Sequence, residues 1–529
     1  MKYFRLNLLL LFVVNNCIGQ LSFFKAVENK GRAWNYYNNE GISVKHKIGN
    51  TWYFNGKDER GFELWKTDGT LEGTTIVKDL NVGPGDSHIG EMVSIGSTLY
   101  FTTSDGTSHL FKSDGTENGT VEVLPSGGGT FLVPNKLVAS NSNLYFKDYF
   151  DTNQVLWYYD GISTKSIVSN EFNHYGIEQL ISNGSLLFVM TANKIYTHQG
   201  SDLGLTKIVD YGLLKPMFPR FSLVFNNKIY FLARYFDDYA SLEKEALFVT
   251  DGTINGTTIV KSFSHPYYRL LTESTLGFLE KTNDKLYFRV SNYDSGNIAF
   301  PDLDLWVSDG STLGTIKVKT LSSEGTNGFS YPTFKSLNNQ LYIFNAFNGG
   351  SKVWITNGTE QGTITIFDQL AEKGTSVFRT ASPTINKMYF SPYDDSVGNE
   401  LWETDGTISG TKLIGEVKSG IENSFVDNIL NFDDKLLFWA YNSSKFEMWQ
   451  YTAKICIGDK FISNKTGIWT SSDTWVCGQI PSTNDNVLIK STHNIEVPEY
   501  FRTQIRSIST ETGAFLNIPK SAVFTISPN

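Results

Sequence analysis

The groups in this sequence most able to do chemistry are carboxylates and phenols set in turns. Asp68, Asp114, Asp251, Asp309 and Asp405 each precede a glycine within a Thr/Ser-Asp-Gly-Thr/Ser stretch, and Asn357 fills the same slot in a further copy. A turn carboxylate can hold a cation such as Ca²⁺. It can instead accept hydrogen bonds from its own backbone while Gly supplies a positive φ. Asn357 keeps the acceptor and loses the charge, which favours the structural role. A second set, Asp237, Asp238, Tyr239, Tyr293, Asp294, Tyr393, Asp394 and Asp395, falls in Tyr- and Asp-rich stretches of variable length. Tyr can stack on a sugar or peptide, and Asp can accept hydrogen bonds or ligate Ca²⁺. These are the candidate ligand-binding residues, although the same composition also suits a solvated turn.

Catalytic constellations are missing. None of the histidines forms an H-E-x-x-H or H-x-H, and the sequence has neither a G-x-S-x-G elbow nor a phosphate-cradling glycine loop. Arg220, Arg234, Arg269, Arg289 and Arg379 could clamp a carboxylate, as a sialidase-like site requires, only if separate loops bring them together. No catalytic residue, metal centre or cofactor is therefore expected, with Ca²⁺ the single alternative. The net charge of -9 argues against a nucleic-acid partner. At 14% aromatic and 19% charged, the chain is too apolar to be disordered.

What positions these groups is a repeat. An apolar-aromatic triplet recurs nine times, from Trp52-Tyr53-Phe54 and Leu99-Tyr100-Phe101 to Met388-Tyr389-Phe390 and Leu436-Leu437-Phe438, at a mean spacing of 48 residues. A second aromatic follows each triplet, and the Asp-Gly turn comes after it in the clear copies. Two-residue turns such as Asn226-Asn227, Asn283-Asp284, Asn338-Asn339 and Asp433-Asp434 precede the triplets, and their residue types tolerate the positive φ of a tight hairpin. Each copy thus reads as four short antiparallel strands. Such copies, at about 40–50 residues each, predict an all-β fold, an eight- or nine-bladed β-propeller. An open solenoid is the alternative. The ninth copy has three strands and stops near Thr452, while Leu21–Val27 resembles a lone fourth strand that could close the ring. The recurring Trp65, Trp157, Trp306, Trp354, Trp402 and Trp449 are expected to pack between blades rather than bind carbohydrate.

The ends set compartment and domains. Residues 1–19 read as a signal peptide, with Lys2 and Arg5 before the apolar run Leu8–Val14 and cleavage after Gly19. Lipidation at Cys17 is the alternative, but Asn16 stands where a small residue is needed. No later apolar run is long enough for a transmembrane helix. The propeller is placed at 20–454 and a small β-solenoid-like module at 455–529, with Cys456 and Cys477 expected to form a disulfide.

The stretch Glu63 to Thr74, repeated at Glu400 to Thr411, resembles the ELWxTDGTxxGT repeat family of exported Bacteroidota proteins. The resemblance spans roughly 20–454 and implies export and a propeller more than an activity. Many members carry a type IX secretion sorting domain, and none is visible here. Gly467-Ile468-Trp469, Thr474-Trp475, Gly478, Pro481 and Asp485-Asn486-Val487 resemble a module found near such domains. The Asp-Gly-Thr turn also looks like the Asp-box of sialidase-type propellers. The expected function is an exported, cell-surface or periplasmic binding or adhesion module, recognising glycan or protein through the loop face. A sialidase-like glycan hydrolase and a purely structural surface component are the alternatives.

Overall fold

The computed structural model describes residues 20–28, 45–104, 106–150, 153–167, 172, 176–200, 204–210, 217–236, 243–263, 276–292, 302–321, 332–375, 380–384, 386–432, 435–442, 445–452, 460–471, 474–475, 481 and 486–526. By contact density the chain divides into two units. The first is residues 23–432 with 437–449, and the second is 1–22 with 433–436 and 450–529.

Nine sheets follow one another along the repeats, each an up-and-down meander, as a β-propeller requires. Blade one is Lys45–Ile48, Thr51–Asp58, Gly61–Thr67 and Thr75–Lys78, paired in that order. Blade eight is Ala381–Pro383, Met388–Phe390, Leu401–Thr404 and Lys412–Gly415. In blade seven the second and third strands are one segment, Gln340–Thr356. Its first part pairs with Thr333–Leu337 and its second with Ile364–Thr375. The ninth blade takes its outer strand, Gln20–Lys25, from the other end of the chain.

Alternation along these strands explains the packing. The middle strands bury both faces, because each sheet has a neighbour on either side. In blade one, Phe54 and Leu64 are fully buried and Tyr53 and Trp65 nearly so. Tyr53, Leu64 and Val77 of blade one pack on Leu99 and Phe101 of blade two, and equivalent clusters recur around the ring. Trp306 meets Phe263 of the preceding blade edge-on at 4.9 Å, and Trp402 meets Phe367 at 5.0 Å. Trp306 and Trp402 therefore pack between blades, whereas Trp449 meets Phe23 on the outer strand of its own blade at 6.1 Å.

Closure lies within the first unit. Phe54 and Trp65 of blade one share a cluster with Val27 and with Leu437, Trp439 and Met448 of blade nine. Trp439 donates its Nε1–H to the Val27 carbonyl at 2.8 Å, and Trp52 donates to the Asn431 carbonyl at 3.0 Å. A closed ring of nine blades replaces both the eight-bladed count and the open solenoid.

Tight turns separate the first and second strands. Asn226 and Asn227 have φ of 48° and 61°, and Asn338 and Asn339 have 50° and 61°, the type I′ pattern. Asn283 and Asp284 differ: Thr282 donates its N–H to the Lys285 carbonyl, and neither turn residue has a positive φ. Asp433-Asp434 lies outside the described residues, as do the signal segment 1–19 and both Cys456 and Cys477.

The second unit holds a parallel β-solenoid. Lys460–Ile462, Asn486–Ile489 and Ser507–Thr510 form one parallel sheet. Gly467–Ile468, Asn494–Glu496 and Phe515–Asn517 form a second, and Arg502–Ile505 with Val523–Ile526 a third. Trp469, Trp475, Val487, Ile489, Ile495 and Ile505 fill the interior, each at most 1% exposed.

Candidate functional site

The acidic turns lie between the third and fourth strands of their blades, and each is a closed hydrogen-bond circuit. In blade one the Asp68 Oδ1 accepts from the Thr70 N–H at 2.8 Å and the Thr70 hydroxyl at 2.6 Å. The Thr70 hydroxyl oxygen in turn accepts the Gly73 N–H, and the Thr74 hydroxyl donates to the Thr70 carbonyl. Gly69 carries the positive φ, 90°. Gly73 has a different duty: a Cβ there would lie 2.1 Å from the Asp68 Oδ1. The same circuit forms around Asp114, Asp251, Asp309 and Asp405. Asn357 forms it too, through its amide oxygen, at 3.0 and 2.8 Å. The hydroxyl bonds, then the backbone ones, hold the Asp114, Asp251 and Asp309 carboxyls below the usual range. One carboxylate oxygen is thus consumed in holding the turn shut.

The opposite face carries the connections between second and third strands and those between blades, and here the chain varies. The strand-two to strand-three link is residues 59–60 in blade one, 192–194 in blade four, 237–242 in blade five and 293–301 in blade six. Asp237, Asp238, Tyr239, Tyr293 and Asp294 lie outside the described residues.

Blade eight inserts a small hairpin, Tyr393–Asp394 paired with Gly398–Asn399. Asp394 is only 6% exposed and accepts from the Ser396 N–H at 2.9 Å and from the Ser396 hydroxyl. Its carboxylate closes its own turn. Asn399 fixes the hairpin base: its Oδ1 accepts from the Ser391 hydroxyl at 2.8 Å, and its Nδ2 donates to the Ser391 and Pro392 carbonyls. Tyr393 donates its N–H to the Ser351 hydroxyl of blade seven at 3.1 Å. What the hairpin presents is Tyr393, half-buried, and Asp395, exposed. Burial first, and then the neighbouring Asp395 carboxylate, push the Tyr393 pKa up.

Beneath this face lie two groups that motif reasoning passed over, the glutamates of the two Glu-Leu-Trp stretches. Glu63 and Glu400 are both fully buried. The Leu80 N–H donates to Glu63 Oε2 at 2.8 Å, and the Val417 and Lys418 N–H groups donate to the two oxygens of Glu400. Each glutamate staples the loop that leaves its blade. Matching bonds surround both: the Ser87 hydroxyl donates to the Phe62 carbonyl and the Ser424 hydroxyl to the Asn399 carbonyl, each at 2.8 Å. Phe62 N–H donates to Asp86, and Asn399 N–H to Asn423. Gly61 and Gly398 lie so close to these loops that a Cβ would sit 2.3 and 2.8 Å from a loop carbonyl. Burial pushes both carboxyls up to about 7. The legible signal was the Glu before Leu-Trp together with a Gly and a Ser at fixed distances after the turn.

Arg220 lies on the first strand of blade five, opposite Leu232. Arg234 of blade five faces Glu245 of the adjacent strand at 3.5 Å, Arg289 is in blade six, and Arg269 and Arg379 lie outside the described residues. Among the described residues no group of three or more His, Cys, Asp or Glu could hold a metal ion, and no helix is long and apolar enough to cross a membrane.

No family model matches the chain, and no curated protein matches it. Among solved structures, the computationally designed Ika8 protein is similar over 73% of this chain and 98% of its own, at 12% identity and TM-score 0.42. A puromycin hydrolase is similar over 75% of this chain and 57% of its own, at 14% identity and TM-score 0.37. The β-propeller domain of the Trilobed protease from Pyrococcus furiosus is similar over 62% and 98%, at 10% identity and TM-score 0.33. Likenesses this distant carry no statement about activity.

Proposed function

We propose that the propeller is an exported binding module, and that its ligand, a glycan or a protein, meets the face carrying the variable connections. The observation that carries this reading is the contrast between the two faces. On one, the five acidic turns and the Asn357 turn repeat a single closed circuit that spends a side-chain oxygen on its own backbone. On the other, the connections differ in length from blade to blade, and stapled loops support a rigid hairpin that presents Tyr393 beside Asp395. Function on a rigid scaffold concentrates in such variable loops. Tyr supplies a broad, stiff contact surface at little entropy cost, and an adjacent carboxylate supplies acceptors for hydroxyl or amide groups. The glycan-hydrolase alternative lacks a convergent arginine or carboxylate group among the described residues. Export rests on the signal-like start of the sequence.

The test is a glycan-array screen and a surface-protein pull-down with the full chain, run in Ca²⁺ and then in EDTA. Saturable binding lost in Asp395→Ala and Tyr393→Ala, with the thermal midpoint unchanged, supports the reading. Binding that survives both substitutions moves the site off this hairpin, and no binding at all leaves the scaffold role.

A further inference from the structure

Blade three buries an amine that the fold does not call for. Lys147 follows the Leu144-Tyr145-Phe146 triplet on the second strand of the blade, Asn143–Phe150, and is 9% exposed. The same position holds Val189, Leu232, Phe344 and Trp439 in four other blades, each at most 2% exposed. An apolar side chain therefore satisfies the packing at this depth. Lysine is almost never buried unless it is paired. Among the described residues Lys147 makes no hydrogen bond and no ion pair. Its nitrogen lies 5.2 Å from the centre of the Tyr149 ring.

The surroundings follow from the register. Residues directly opposed on antiparallel strands share a face, so Lys147 and Leu156 lie on one face, and Tyr149 and Gln154 continue it. Leu156 packs on Ile177, Leu187 and Val189 of blade four. The Gln154 amide oxygen accepts the Ile177 N–H at 2.6 Å, which brings the first strand of blade four, Ile177–Ser182, against this face. Burial lowers the Lys147 pKa, and the Glu178 carboxylate of that strand and then Glu91 partly oppose the shift. Neither carboxylate is within ion-pair distance. Asp148, the next residue, accepts the Leu132 and Val133 N–H groups of the connection from blade two, so the amine lies beneath the face that carries the variable connections.

We propose that Lys147 is a reactive amine that condenses with a small aldehyde entering from this face. A buried lysine without a counter-ion is the form of the side chain suited to attack on a carbonyl. The nitrogen lone pair forms the C–N bond while the carbonyl π pair moves to oxygen. A proton passes through water from nitrogen to that oxygen, a water molecule leaves, and an imine remains. No oxidant or reductant enters. Glu178 and Glu91 disfavour an anion here, so a neutral carbonyl compound is the class that fits, and the slight exposure restricts it to a small one.

The test treats the full chain with glycolaldehyde at pH 7 and traps any imine as a secondary amine with sodium cyanoborohydride. Peptide mass mapping then reads each lysine. Lys147 should be labelled roughly 10-fold faster than the exposed Lys445 and Lys490. Lys147→Leu, which copies the residue type of blade five, should lower total uptake at limiting aldehyde and leave the thermal midpoint unchanged or higher. Labelling of Lys147 no faster than that of Lys445 and Lys490 overturns the proposal. A lower midpoint in Lys147→Leu overturns it as well, because the amine would then be a packing element held by Tyr149.

Discussion

The second glycine of the acidic turn gives the sharpest quantitative test of how the blades are held. In blade eight a Cβ on Gly410 would lie 2.0 Å from the Asp405 Oδ1. Gly410 does not have a positive φ, so alanine is acceptable to the backbone and only the side-chain clash opposes it. Gly410→Ala must therefore expel the carboxylate. That breaks the two bonds Oδ1 accepts, from the Thr407 N–H at 2.9 Å and the Thr407 hydroxyl at 2.7 Å. At about 1 kcal/mol net for each, the loss is about 2 kcal/mol. Asp405→Ala removes the same two bonds and should cost about the same. With the carboxylate already gone, the Gly410 methyl has room, and the second substitution should cost nothing or return about 0.5 kcal/mol through lost unfolded-state entropy. The double variant then resembles either single one, with a coupling of about 2 kcal/mol. Asp405→Asn should cost little, since Asn357 already closes the same circuit in blade seven. Urea denaturation at constant m reads these differences as midpoint shifts. Additive costs would refute the claim that the glycine exists to seat the aspartate.

Three further outcomes follow from the same geometry. Glu63 and Glu400 are raised from 4.5 to about 7, so the folded chain binds their protons more tightly than the unfolded chain does. Their contribution is complete below about pH 4.5 and is lost as pH rises through 7, roughly 3 kcal/mol for each group. The stability difference between wild type and the Glu63→Gln/Glu400→Gln variant should fall across that window, and a flat difference contradicts the assignment. Trp439 is fully buried, meets Phe54 at 5.1 Å and holds the Val27 carbonyl, so Trp439→Ala should cost about 3–5 kcal/mol. It should also release hydrogen exchange in Gln20–Lys25 before the inner blades, and uniform exchange would show that closure does not depend on it. Asp394→Ala should lower the thermal midpoint by opening its turn, whereas Asp395→Ala should leave it unchanged. Equal thermal effects would mean that both residues face solvent.

The repeat was legible because each blade solves the same local problem with the same residue types. Asn226-Asn227 and Asn338-Asn339 announce a tight hairpin by their tolerance of positive φ, and the structure has it. Asn283-Asp284 is of the same turn-forming kind and makes a different turn, since residue type permits a conformation without selecting it. The loop face was less legible. Asp394 and Asp395 are neighbours of identical type, yet one closes a turn and the other reaches solvent. That difference is set by Ser396 and by the pairing of Tyr393 with Asn399, neither of which a single-residue reading can weigh. Glu63 and Glu400 sit beside the conspicuous tryptophans and look like surface charges on a strand, until a loop about seventeen residues later folds back to cover them.

By itself, then, the sequence determined the period, the four-strand blade and the turn chemistry. These are local, depending on residues within one copy, and they recur often enough to average out decay. The closing strand was legible too, since Leu21–Val27 reads as a lone fourth strand, whereas blade number and the burial of the two glutamates were decided only in three dimensions. The burial depends on which loop folds back over a strand, and the blade number on how far one copy rotates relative to the next, a sum over the whole ring that no single repeat encodes.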